Sequence, residues 1–138
     1  MTDWRSDLRT DVRAAIAGSD RFGDFTALNI WAKSVNAGDL PAIGTGIPRE
    51  TSDRESLDST VRRPLLAVVV KRVGTGLEDL ADADSAEIER LVMDVYDGTD
   101  VQPDLTETTY SEDPGGQRPV STLTLMFAVP HWIADPLT

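Results

Sequence analysis

Cysteine is absent from this 138-residue chain, and His131 is its single histidine. The first absence excludes disulfides and thiolate metal sites. The second removes most of the usual bases and soft ligands. No apolar run approaches ~20 residues, so no membrane-spanning helix is expected. Residues 1–5 lack a basic segment leading into an apolar stretch, so no signal peptide is expected, and the cytoplasm suits such a chain. Basic residues are also scarce, 13 against 24 acidic, for a net charge of −11. Tight DNA binding draws on a basic patch that neutralises phosphates, and this balance speaks against it. Acidity keeps a chain soluble, and an acidic surface also lets DNA pass without adhering.

What is present reads as one domain of residues 1–138 around one layered core. Trp4, Leu8, Val12, Ala15 and Ile16 recur at helical spacing, with Thr2 or Asp3 as cap and Gly18 just past the end. Leu28, Ile30 and Ala32 alternate with Asn29, Trp31 and Lys33, which predicts a short strand. Residues 35–39 carry turn chemistry, and Pro41 opens a second extended piece over 42–47. Residues 48–60 form a polar stretch, read as a long loop or as the outer part of a hairpin.

Residues 60–73 predict the longest strand, apolar on both faces through its middle. Asp84 with Glu87 reads as a capping box opening a second helix to Tyr96, before Gly98. Residues 101–110 have weak strand character, and Asp113-Pro114-Gly115-Gly116 predicts a hairpin turn. Residues 119–130 predict a last strand, with Leu123, Leu125, Phe127 and Val129 inward. The sum is α+β: two helices on one face of a largely antiparallel sheet.

The candidate chemistry is thin. Gly74-Thr75-Gly76 follows a strand but has Asp79 where a dinucleotide loop needs glycine, and Gly44-Thr45-Gly46 lacks the lysine of a phosphate loop. Both read as turns or sites of backbone freedom. Asp79, Asp82, Asp84 and Glu87 fail the calcium-loop pattern, because its sixth position would be Asp84 rather than glycine. No metal and no cofactor is therefore expected. His131 reads as an edge or interface histidine. Trp31 and Trp132 read either as anchors of a subunit contact or as core. Arg49, Arg54, Arg62 and Arg63 are mixed with Glu50, Asp53 and Glu55 on the polar stretch. Mixed signs there suit reciprocal ion pairs with a second copy, or a solvated loop.

The order of parts resembles the tail terminator proteins of long-tailed phages, the family of phage lambda minor tail protein U. The features that carry it are the helix over residues 7–16, Asp39-Leu40-Pro41-Ala42-Ile43, the polar Ser56-Leu57-Asp58-Ser59, the helix over 84–96 and the last strand over 123–129. The chain departs from that pattern in Pro64, inside the central strand, and in an extension over about 131–138. The resemblance implies a structural virion protein without enzymatic activity. It implies a homo-hexameric ring that caps the tail tube, ends its polymerisation and offers a joining surface to a head completion or connector protein. Such a protein belongs to the neck of the virion tail, of a phage or a gene transfer agent, and to the host cytoplasm during assembly. DNA passes through the ring without sequence-specific binding.

On this reading Arg49, Glu50, Arg54, Glu55, Arg62 and Arg63 make subunit contacts. Asp79, Asp82, Asp84 and Glu87 make an acidic lumen. The alternatives are a head–tail connector or completion protein, a small acidic metal-dependent hydrolase and a monomeric binding module.

Overall fold

A computed structural model describes residues 4–31, 36–54, 56, 59–113 and 118–134. Its elements run α1 (Trp4–Ala17), β1 (Thr26–Ala27), a 3-10 turn (Ala37–Asp39), β2 (Ala42–Arg54), β3 (Ser59–Val73), α2 (Leu77–Val95), β4 (Asp104–Asp113), β5 (Val120–Ala128) and β6 (His131–Ala134). The sheet order is β1-β2-β3-β5-β4, with β6 beside β3. Among the described residues only β1, against β2, is parallel. The expected α+β architecture, two helices over one face of a mostly antiparallel sheet, is what the chain forms.

Side-chain alternation places the core. Leu66, Val68 and Val70 of β3 lie opposite Phe127, Leu125 and Leu123 of β5, and all six are buried. Leu8, Val12 and Ile16 of α1 and Ile88, Leu91 and Val92 of α2 complete the cluster. Each such side chain contributes ~1.5–3 kcal/mol relative to exposure. The other face of β3 carries buried Ala67 between half-buried Leu65 and Val69, beside Met126 and Ala128. The doubly apolar middle of β3 is therefore covered by helices on one side only.

The sequence expectations are decided or changed at three places. Of the two readings of 48–60, the outer part of a hairpin is the one found: β2 runs through it to Arg54, and β3 begins at Ser59. Its polar residues lack a buried period because this hairpin arm extends past the helix-covered core. Within it Ser56 and Ser59 join Oγ to Oγ at 2.8 Å; Glu55, Leu57 and Asp58 lie outside the described residues. The expected strand over 28–32 is not found. The chain pairs at Thr26 and Ala27, then crosses β2 as turn and irregular backbone.

Close approach permits that crossing. A Cβ on Gly44 would strike the Leu28 carbonyl, and one on Gly46 would strike the Ile30 side chain. The glycines of Gly44-Thr45-Gly46 thus serve packing. Ala32, Lys33 and Val35 lie outside the described residues, as do the Thr2 or Asp3 cap and Pro114 to Gln117.

The third change is at α2. It starts at Leu77, so Asp84 is mid-helix and caps nothing. Gly74 (φ 131°) and Gly76 (φ 66°) turn the chain from β3 into the helix, a backbone that glycine adopts cheaply. The inward stripe is Leu77, Ala81, Asp84, Ile88, Leu91 and Val92. An acid in the middle of that stripe hides the first two turns from an apolar pattern.

The extension past the last strand is partly ordered into the sheet. β6 continues β5 along β3 in unchanged register: Val129 N–H still donates to the Pro64 carbonyl at 3.1 Å, and the ladder lapses at Pro130. Proline has no N–H to donate. Residues 135–138 lie outside the described residues.

Candidate subunit interface

The arm begins at a bulge. Between Gly46 and Arg49 β2 gains one residue on β3, next to Pro48. A one-residue insertion swaps the faces of everything beyond it. Before the bulge Ile43 and Thr45 face the helices, opposite Val70 and Val68. After it Glu50 and Ser52 share that side, opposite Pro64 and Arg62, while Arg49, Thr51 and Asp53 turn to the open face.

On the helix side the arm is fastened to the first turn of α1. Arg5 donates from Nε and Nη2 to Glu50 Oε1 and Oε2, both at 2.7 Å, a bidentate pair of the stronger kind. The Arg5 guanidinium also lies 4.4 Å from the Trp4 ring centroid. Trp4 stacks on His131 with centroids 4.3 Å apart and planes at 14°. Arg62, opposite His131, reaches Glu50 only at 3.9 Å, and its Nε is buried without a hydrogen-bond partner. On the open side Arg63 donates to Asp53 at 2.6 Å.

The six residues expected at a subunit contact therefore divide. Glu50 and Arg62 are committed to a cluster inside the chain. Arg63 holds Asp53 across the arm. Arg49 and Arg54 are exposed, and Glu55 lies outside the described residues. Arg49, Arg63 and Glu107 border a trough of about 460 Å³ on the open face, floored by Leu65, Met126 and Ala128. Trp31 (66% exposed) and Trp132 (51%) stand in solvent, so neither is core. His131 lies at the sheet edge and is half-buried against Trp4.

The acidic set divides too. Asp79 and Asp82 are exposed on α2. Glu87 accepts from Arg90 Nε at 2.7 Å and from Ser19 Oγ at 3.0 Å. The Arg90 hydrogen bond, with smaller help from Ser19, holds its carboxyl below the usual range against a desolvation that opposes it. Asp84 is 1% exposed and cannot line a lumen. It accepts from Arg21 Nε at 2.7 Å, Arg72 Nε at 2.7 Å and Arg72 Nη2 at 2.9 Å. Spacing alone did not reveal this clamp, because its arginines are 63 and 12 residues away. Among the described residues no group of three or more His, Asp or Glu side chains is placed to hold a metal ion.

No protein-family model matches the chain, and no curated protein matches its sequence.

Proposed function

We propose that this chain is a tail-terminator-like structural subunit that closes into a hexameric ring on the end of a tail tube. The observation that supports this most is the arm: a long charged hairpin, braced by Arg5 and Glu50, that extends the sheet beyond its core. A braced arm holds its backbone and charges in one geometry, as a repeated contact between copies requires. A closed ring needs one surface to meet a different surface of the next copy, and Arg49 presents an exposed cation on a chain of net charge −11.

In this reading the ring ends tube growth and offers its far side to a head completion or connector protein. Asp79, Asp82 and Glu87 on α2 line the passage, where negative charge keeps DNA mobile. The protein acts in the neck of a virion tail, after assembly in the host cytoplasm, and makes no bond itself.

Light scattering and electron microscopy of the purified protein, with and without tail tubes, test the proposal. Rings seated on tube ends are expected; a monomer at every concentration, or rings that ignore tubes, refutes it. Reversing both charges, Arg54→Glu with Glu55→Arg, is expected to abolish ring formation. Intact rings in that variant remove those two residues from the contact.

A further inference from the structure

The face of the sheet turned away from the helices is uneven. Gly44 and Gly46 lie on it, opposite Val69 and Ala67. The chain from Leu28 to Trp31 crosses there, with the Leu28 carbonyl and the Ile30 side chain sitting where Cβ atoms on those glycines would go. The β2 side of this face thus carries an overlay that ends in Trp31, 66% exposed. The β4 side is bare among the described residues: Glu107 and Thr109, opposite Met126 and Thr124, are exposed. Between the two sides lies the trough floored by Leu65, Met126 and Ala128. Trp132 stands on the same face, opposite Val61, and is 51% exposed.

The walls of the trough differ in sign. Arg49 stands on the β2 wall and Glu107 on the β4 wall. Both are exposed, and neither has an ion-pair partner among the described residues. Across the sheet Arg49 is at the height of Leu65, Ala128 and Asp104, and Glu107 is at that of Ala67 and Met126, ~7 Å further along.

This pattern is self-complementary. A two-fold axis lying over the seam of β3 and β5, along the strands, turns one such face onto another. It keeps every residue at its own height and sets β2 of one copy over β4 of the other. Arg49 of each copy then faces Asp104 and Glu107 of the other. The overlay on β2 fills the bare side over β4, and the two Trp132 side chains meet near the axis. Sheets packed face to face lie ~10 Å apart with strands aligned within ~30°. Residues 61–69 across four strands give a face of ~600 Å² in plan, on the order of the ~800 Å² that each partner buries in a stable complex.

We infer that two copies of this chain pair through their open sheet faces, with Trp31 and Trp132 as apolar anchors and Arg49 against Asp104 and Glu107 as reciprocal ion pairs. The contact is isologous and goes beyond the ring contact, which joins two different surfaces. Because it occupies Arg49, the pair is the form of the chain away from tube ends, and it parts before the arm joins a ring.

Analytical ultracentrifugation of the purified chain without tubes is expected to show a monomer–dimer equilibrium. Arg49→Glu, and separately Asp104→Lys with Glu107→Lys, are each expected to weaken the dimer about tenfold or more. An equal mixture of the two variants is expected to regain it, because unlike charges again face each other at both contacts while both chains stay net negative. Trp132→Ser is expected to weaken it about tenfold. Circular dichroism checks that each variant folds. A dimer that none of these variants weakens uses another surface and overturns the inference, as does a loss that mixing leaves unrepaired. Rings without dimers overturn it while leaving the ring reading intact. Dimers that respond as expected but never give rings on tubes support it and refute the ring reading. A monomer at every concentration overturns both.

Discussion

Replacing Asp84 with asparagine keeps the side chain's size and removes the charge that two arginines share. Three charge-assisted hydrogen bonds end on this carboxylate, all between 2.7 and 2.9 Å. They join α2 to the turn after α1 through Arg21 and to β3 through Arg72. Removing one partner from a buried ion pair costs ~3–5 kcal/mol. That figure needs a discount, since the Arg21 and Arg72 side chains are 31% and 16% exposed and can recover some hydration. Arg72 also keeps its stacking on Phe25, 4.8 Å from the ring centroid. The expected loss is therefore ~2–4 kcal/mol, or a fall in Tm of roughly 10 °C for a domain near this size.

Urea unfolding followed by circular dichroism measures it. The midpoint should fall with an unchanged slope, because the surface exposed on unfolding is the same. A double-mutant cycle with Arg72→Met isolates the pair, and a coupling of at least ~1 kcal/mol is expected. A loss under ~1 kcal/mol with no coupling would refute the idea that this clamp holds the helix layer to the sheet.

Gly44→Ala should destabilise the chain by ~1–3 kcal/mol, because the new methyl meets the Leu28 carbonyl and that backbone must shift; thermal unfolding at wild-type Tm would contradict it. Burial, with a smaller push from Asp11, raises the Tyr96 hydroxyl from 10.0 to about 12. A raised folded value means the native state holds this proton more tightly, so stability is complete below pH 10 and falls as pH rises toward 12. Tyr96→Phe should flatten that decline in unfolding experiments; an unchanged alkaline slope would assign it to other groups. Glu87 is shifted the other way, so its contribution is present above about 4.5 and is lost as pH falls through its lower folded value. Glu87→Gln should weaken the acid-side fall in stability, and an identical acid profile would count against the Arg90 and Ser19 contacts.

Residue pattern alone determined the two helices, the central strand, the last strand and their α+β class. Each follows from local periodicity: Leu8, Val12 and Ile16 at helical spacing, and Leu123, Leu125 and Phe127 at strand spacing. Such patterns survive because burial rewards one face of each element independently of its neighbours. Tertiary structure decided what depends on contacts distant in sequence. The polar stretch became an arm because β3 pairs with β2 beyond the core. The bulge near Pro48 sent Glu50 toward Arg5, 45 residues away. Asp84 became a buried clamp because Arg21 and Arg72 converge on it, and an acid is kept inside only where cations from other elements meet it.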